Sequence, residues 1–197
     1  MDERLIQAAR TGNRTALAAL LREFQEPWFR FSMSLLGDAD LAQDATQETG
    51  LRFLKLLPTF RGESQLRTWS LGIALNVTRE MRRRHRSTVD ITREGLSLRS
   101  LDPARGGLAA PRPPADAAEL TEQREHLQNA LAGLSDRQRE AIVLRFFEEL
   151  SVEQTAKAMS CAEGTVKATV HQALRAMREL LPVSWATVPR GRGTPDL

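Results

Sequence analysis

Residues 151–181 read SVEQTAKAMSCAEGTVKATVHQALRAMRELL. This stretch predicts a short helix, a tight turn and a longer helix, which is the spacing of a helix-turn-helix. Ser151 and Gln154 form a capping box that starts the first helix, and Met159 ends its apolar stripe. The second helix carries an apolar stripe at helical spacing. Its members are Val166, Val170, Ala173, Met177 and Leu181.

The opposite face of the second helix is polar. It carries Thr165, Lys167, His171, Gln172 and Arg175. A helix of this kind can enter the DNA major groove and present such side chains to bases and phosphates. An ordinary helical hairpin with a solvated polar face fits the same spacing, so the motif alone leaves both interpretations open.

The composition of the whole chain favours an all-α fold. The 197 residues include no Tyr and only 5% aromatic residues, which argues against a β-rich protein. The 28 basic and 25 acidic residues leave a net charge of +3, a mild excess that fits local contact with phosphate. The lone cysteine excludes an intramolecular disulfide, the N-terminus lacks the apolar region of a signal peptide, and no apolar run reaches membrane-spanning length. We therefore expect a cytoplasmic protein without membrane insertion.

Glycine and proline divide the chain into two small helical domains. Residues 1–87 carry helical patterns, whereas residues 88–118 are rich in Gly and Pro and predict a flexible linker. Residues 119–182 are helical again and contain the helix-turn-helix. Residues 183–197 predict a disordered tail.

Breaker residues set the helix ends expected in the first domain. A helix over 15–34 contains Pro27, which should kink it or split it in two. The next helix is expected to begin with a capping box of Asp40 and Gln43 and to end at Leu57.

A helix expected over 66–86 combines an apolar stripe with a basic end. Trp69, Ile73 and Val77 recur at spacing four and form a buried or docking stripe. The last turns contain five arginines, namely Arg79, Arg82, Arg83, Arg84 and Arg86. Five arginines exceed what complements the helix dipole, so we interpret this end as a site for an anionic partner, with nucleic acid as the obvious candidate.

The preceding helix has an acidic face. Asp44, Gln47 and Glu48 lie at offsets of three and four and share one side of the helix, with Leu51 and Leu54 close by. This face can be merely solvated, or it can dock on a helix of another protein. Spacing alone favours solvation.

The sequence does not predict an enzyme. It has no Gly-x-x-x-x-Gly-Lys-Ser/Thr phosphate loop. Its three histidines lie far apart, and its single cysteine cannot build a structural zinc site. We therefore expect no catalytic residue, no metal and no cofactor.

The order of these motifs resembles that of the extracytoplasmic-function (ECF) sigma factors, the small two-domain sigma subunits of bacterial RNA polymerase. The resemblance covers about residues 2–86 and 120–181. It rests on DLAQDATQET at 40–49, FRG at 60–62, LRTW at 66–69, IALN at 73–76, the arginine run, and EGTVK at 163–167.

The resemblance implies that the acidic face is a protein interface. In the family, the helix like 41–57 docks on the clamp helices of the largest polymerase subunit. Asp44, Gln47 and Glu48 match the docking motif, and we assign Arg52 to the same polymerase-binding surface.

The resemblance also implies two DNA interfaces. The loop and helix like 59–86 read and melt the promoter minus-ten element and capture a flipped base. The contacts expected there are Arg61, Asn76, Arg79, Arg82 and Arg83. The second domain binds the minus-thirty-five element. The contacts expected there are Thr165, Lys167, His171, Gln172 and Arg175.

The chain departs from the family pattern on its recognition helix. Thr169 and Gln172 occupy positions where the family often carries basic residues. We therefore expect this helix to bind phosphate less strongly than its relatives do.

Core RNA polymerase, promoter DNA and an anti-sigma factor are the partners that the resemblance implies, with a monomer outside the holoenzyme. Two alternatives stay open. A stand-alone helix-turn-helix regulator would bind duplex DNA by itself, usually as a dimer on paired half-sites. A sigma-like adaptor would bind polymerase without opening promoters.

Overall fold

Every regular element in the described part of the chain is helical. The computed structural model describes residues 2–93, 126–127 and 129–180, without the side chains of 87–93. No strand occurs among these residues, and the expected all-α fold is confirmed. The chain divides into two compact units, Met1–Asp102 and Pro103–Leu197. Among the described helices, none is long and apolar enough to cross a membrane.

The described part of the first unit contains four α-helices. They are α1 (Glu3–Arg10), α2 (Arg14–Leu36), α3 (Ala39–Leu56) and α4 (Leu66–Arg93), with a 3-10 turn at Leu57–Thr59. The Asn13 side chain begins α2 by accepting the amide hydrogen of Ala16 at 3.0 Å. Gly37 ends α2 with φ at +70°, a conformation that glycine adopts without steric cost.

α2 passes through Pro27 as one helix, so the predicted division into two helices is wrong. Proline removes one backbone hydrogen bond. The residues that follow it, Trp28, Phe31 and Leu35, are fully or almost fully buried. Their burial stabilises the second half of the helix against the local cost of proline, because tertiary packing rather than propensity supplies most helical stability.

The start of α3 also differs from the prediction. The carboxylate of Asp38 accepts the amide hydrogen of Leu41 at 2.8 Å and caps a helix that begins at Ala39. The predicted capping box of Asp40 and Gln43 is therefore wrong, because the cap lies two residues earlier. Two acidic residues two positions apart both suit a helix start, and the sequence alone does not rank them.

α4 continues to Arg93, beyond its predicted end at residue 86. Between residues 86 and 95 the first glycine or proline is Gly95, so no breaker residue ends the helix at residue 86. α4 therefore overlaps the first residues of the linker predicted over 88–118. The rest of that linker and the predicted tail over 183–197 lie outside the described residues.

A row of aromatic rings joins α2, α3 and α4. Phe24 stacks on Trp28 with ring centroids 5.6 Å apart, and Trp28 lies 5.2 Å from Phe53. Phe53 lies 5.8 Å from Trp69, which lies 5.1 Å from Phe60. Aromatic pairs of this kind add about 0.5–1.5 kcal/mol each beyond their area burial. The row packs α3 against α4 through Phe53 and Trp69.

A buried hydrogen bond ties α2 to α4. The indole Nε1 of Trp28 donates to the Ser70 Oγ at 3.2 Å, and the Ser70 hydroxyl donates to the Arg67 carbonyl at 2.9 Å. Both side chains are buried. Because an unpaired buried donor costs about 1–3 kcal/mol, Ser70 is the polar partner that lets a tryptophan occupy the core.

The described part of the second unit is a smaller helical bundle. It contains helical residues 129–132, α5 (Asp136–Ile142), a π-helical turn (Val143–Phe147), α6 (Val152–Met159) and α7 (Glu163–Leu180). Its core includes Ala130, Leu131, Leu134, Ile142, Ala173 and Met177. The Arg139 guanidinium donates to the carbonyls of Leu131, Ala132 and Leu134 at 2.7, 2.8 and 3.2 Å. It thereby satisfies the carbonyl groups where the preceding helical segment ends.

Candidate nucleic-acid and protein interfaces

α7 has one buried side and one exposed side. Val166, Val170, Ala173 and Met177 are buried, as the periodicity predicts, and Leu181 lies outside the described residues. All five residues predicted to contact the minus-thirty-five element are exposed. They are Thr165, Lys167, His171, Gln172 and Arg175. The helix therefore offers a continuous polar face to solvent or to a ligand.

The helix before α7 begins as the sequence predicts. The Ser151 amide donates to the Gln154 side chain at 2.8 Å, and the Gln154 amide donates to the Ser151 Oγ at 3.1 Å. The predicted capping box of α6 is confirmed. It satisfies two amide groups that have no partner within the helix.

The turn between α6 and α7 is made without glycine. Ser160 adopts the left-handed conformation, with φ at 54° and ψ at 52°, which costs a non-glycine residue about 1–2 kcal/mol. Ala162, which precedes α7, has no side-chain oxygen for a cap. Its backbone carbonyl accepts the amide hydrogens of Thr165 and Val166 at 3.0 and 3.2 Å. Backbone hydrogen bonds therefore begin α7 in place of a side-chain cap at Ala162.

Thr169 uses its hydroxyl within the helix. Its Oγ1 donates to the Thr165 carbonyl at 2.7 Å. A threonine hydroxyl has one hydrogen, so this bond leaves Thr169 with no donor for a phosphate oxygen. The observation supports the expectation that α7 binds phosphate less strongly than a helix with a basic residue at this position.

The residues predicted to contact the minus-ten element lie on α4 and in the loop before it. Arg61 is exposed in that loop, and Asn76 and Arg83 are exposed on α4. Arg79 and Arg82 are half-buried. Asn76, Arg79 and Arg83 follow spacings of three and four and share one side of the helix, whereas Arg82 lies beside them.

The α3 face combines polar and apolar groups. Asp44 and Gln47 are exposed, whereas Glu48 and Arg52 are half-buried. Leu51 is 65% exposed, three residues after Glu48 on the same side of the helix. An apolar side chain within a polar rim has the composition of a protein interface. The sequence places Leu51 near this face, but only the packing of α3 shows that the side chain points outward.

Arg52 joins α3 to α4. Its Nη1 and Nη2 donate to the two carboxylate oxygens of Glu80 at 2.7 and 2.8 Å, and its Nε donates to Glu48 at 2.6 Å. A bidentate pair of guanidinium and carboxylate is among the strongest of charge-assisted contacts. The Arg84 Nη2 lies 3.8 Å from the Glu80 Oε2.

The hydrogen bonds of this network shift the pKa values of Arg52 and Glu80. Bonds to Glu80 and then to Glu48 raise the pKa of Arg52. The hydrogen bonds from Arg52 lower the pKa of Glu80 below its ordinary value. Sequence reasoning missed Glu80 because it lies 28 residues from Arg52. The assignment of Arg52 to a polymerase contact stays a prediction, and in this structure its guanidinium binds carboxylates of its own chain.

In the part of the chain that the structure describes, no group of three or more His, Cys, Asp or Glu side chains is placed to hold a metal ion. The geometry instead presents three surfaces on helices. These are an acidic and apolar face on α3, a basic end of α4, and a polar face on α7.

Comparison with known proteins identifies the family of the chain. The Sigma-70 region 2 family matches residues 20–88, and the Sigma-70 region 4 family matches residues 124–177. The first match contains α3 and most of α4, and the second contains the helix-turn-helix. The fold and these matches define the class of the protein, a two-domain sigma factor of RNA polymerase.

Individual relatives narrow the class. The ECF RNA polymerase sigma factor SigC of Mycobacterium tuberculosis is 33% identical over 173 residues, which cover 88% of this chain and 87% of SigC. The RNA polymerase sigma-H factor of Pseudomonas aeruginosa is 29% identical over 184 residues, covering 91% and 93%. The sigma factor RpoE of Bartonella quintana, solved in complex with the anti-sigma factor NepR, is 27% identical with a TM-score of 0.63, covering 83% and 94%. The chain belongs to the ECF family of RNA polymerase sigma factors.

Proposed function

We propose that this sigma factor uses α3 to bind core RNA polymerase, α4 with its preceding loop to bind and melt the minus-ten element, and α7 to bind the minus-thirty-five element. One observation carries the proposal. The first unit holds an acidic face with an exposed leucine on α3 next to the basic end of α4, and Arg52 bonds the two helices together.

The α3 surface suits a helical protein partner. Leu51 supplies an apolar anchor, and Asp44 and Gln47 supply a polar rim around it. Interfaces concentrate their affinity in a few residues near their centre, whereas rim charges set orientation and association rate. Asp44, Gln47 and Leu51 are therefore the residues that we assign most directly to the polymerase contact.

The α4 surface suits the DNA backbone and unpaired bases. We assign Arg82 and Arg83 to phosphates, and Arg61, Asn76 and Arg79 to bases of the opened strand. Unpairing and unstacking a base costs a few kcal/mol, which contacts to the flipped base and to phosphate offset. The chain supplies binding energy and no active site, since the polymerase performs the catalysis.

The partners follow from the family. We expect core polymerase, promoter DNA and an anti-sigma factor, by analogy with the RpoE complex. We place the action of the protein in the cytoplasm, as a monomer outside the holoenzyme. We assign sigma region 2 to the first domain and region 4 to the domain over 119–182, joined by a linker that begins after Arg93.

Transcription from fragmented genomic DNA of the source organism tests the function. Purified core polymerase is used with and without the protein, and transcript starts are sequenced. New starts that share two upstream motifs at fixed spacing are expected. Polymerase binding without new starts would favour the adaptor. Neither binding nor new starts would favour the stand-alone regulator.

A further inference from the structure

Glu80 is an acidic residue on a face that we assign to DNA. It lies four residues after Asn76 and three before Arg83, so it shares their side of α4. Its side chain is 32% exposed. A carboxylate at this position would oppose the approach of a phosphate, because like charges repel even where water screens them.

Arg52 compensates this carboxylate from the neighbouring helix. Both carboxylate oxygens of Glu80 accept hydrogen bonds from the Nη1 and Nη2 of Arg52. The Nε of Arg52 donates to Glu48. The pair is partly shielded, since the side chain of Arg52 is 30% exposed. All three guanidinium nitrogens therefore bind carboxylates of the same chain.

We propose that Arg52 is a positioning residue for promoter opening, which holds and neutralises Glu80 so that DNA phosphate meets the basic end of α4 without an opposing carboxylate. The inference rests on the proposed function of α4. It gives Arg52 a role different from the polymerase contact that the sequence predicts.

The test uses the full chain assembled with core polymerase and a promoter found by start-site mapping. The variants are Arg52→Gln, Glu80→Gln and the double variant. Arg30→Gln is the matched control, because Arg30 forms only a loose ion pair with Glu26 at 3.6 Å between side chains that are each 70% exposed. Three quantities are measured: affinity for core polymerase, permanganate reactivity of unpaired thymines in the open complex, and the salt dependence of promoter binding.

Arg52→Gln is expected to lower promoter opening by about fivefold, the effect of roughly one surface charge contact. Affinity for core polymerase should change by less than about twofold, a ratio that corresponds to a surface substitution. The log–log salt slope should flatten by about 0.7–0.9, equivalent to one phosphate contact. Glu80→Gln alone should open the promoter at least as well as the wild type, and the double variant should recover wild-type opening.

Three results would overturn the inference. Equal loss of polymerase affinity and promoter opening in Arg52→Gln would make Arg52 a polymerase contact. A double variant that stays defective would show that Glu80 is not the cause. A lower melting temperature with an unchanged salt slope would show a merely structural role. Failure of the wild type to open any promoter would instead refute the proposed function, and this inference with it.

Discussion

The two units hold their functional residues in different ways. In the first unit, residues far apart in sequence meet. Arg52 binds Glu80, which joins α3 to α4, and Trp28 binds Ser70, which joins α2 to α4. In the second unit, the candidate contacts lie along one exposed helix face, after a turn set by backbone hydrogen bonds. We assign polymerase docking and DNA melting to the neighbouring helices α3 and α4, whereas we assign the reading of duplex DNA to one face of α7.

The largest effect is expected from charge reversal on α3. Asp44→Arg with Glu48→Arg should weaken binding to core polymerase by at least about 100-fold, because like charges placed across an interface cost several kcal/mol. Fluorescence titration of labelled protein with core polymerase measures the loss. Glu23→Arg with Glu26→Arg, on exposed positions of α2, is the matched control. Normal binding by a folded α3 variant would refute the assignment of this surface.

Added arginines on α7 are expected to strengthen its contact with DNA phosphate. Thr169→Arg with Gln172→Arg should steepen the log–log salt dependence of promoter binding by about 1.8, since each added phosphate contact contributes about 0.9. Binding is measured with the holoenzyme at several salt concentrations. Thr169→Gln, which adds length without charge, should leave the slope unchanged. An unchanged slope in the Thr169→Arg, Gln172→Arg double variant would show that this face does not contact phosphate.

The buried hydrogen bond of the first unit should contribute measurably to stability. Ser70→Ala leaves the Trp28 indole without its acceptor and should lower the free energy of unfolding by about 1–2 kcal/mol. Denaturant titration with tryptophan fluorescence measures it. Ser34→Ala is the control, because the Ser34 hydroxyl donates to the Arg30 carbonyl at 2.9 Å in an exposed setting. An equal loss of unfolding free energy in Ser70→Ala and Ser34→Ala would show that the buried hydrogen bond contributes no more than the exposed one.

The turn of the second unit should tolerate, and gain from, glycine. Ser160→Gly relieves the left-handed conformation and should raise the free energy of unfolding of that unit by roughly 1 kcal/mol. Part of the gain is offset because glycine also gives the unfolded chain more freedom. Thermal unfolding followed by circular dichroism measures the change. A lower midpoint would mean that the Ser160 side chain stabilises the turn.

The smallest effect concerns pH. Because Arg52 lowers the pKa of Glu80, the ion pair stabilises the fold above the ordinary glutamate pKa, and this contribution is lost as pH falls through the lowered value. The difference in unfolding free energy between wild type and Glu80→Gln should therefore be largest near neutral pH and disappear in strong acid. Urea titrations across this range measure it. A difference that grows on acidification would contradict the assignment.

Local patterns predicted more of this molecule than distant ones. The capping box at Ser151, the buried stripe of α7 and its exposed face all follow from residues within a few turns of each other. The continuity of α2 through Pro27 depends on the core, which local breaker rules do not include. The pairing of Arg52 with Glu80 depends on how α3 packs against α4, and no spacing in the sequence encodes that contact.

The aromatic row gives the protein an intrinsic optical probe. Trp28 is buried beneath Phe24 and Phe53, so its emission reports a constant environment. Trp69 is half-buried and contacts Phe60, the residue directly before Arg61 in the loop that we assign to the minus-ten element. When DNA moves that loop, Phe60 moves with it and the polarity around Trp69 changes. In the free protein, the emission of Trp69 can thus report movement of that loop once Trp185, the third tryptophan of the chain, is replaced.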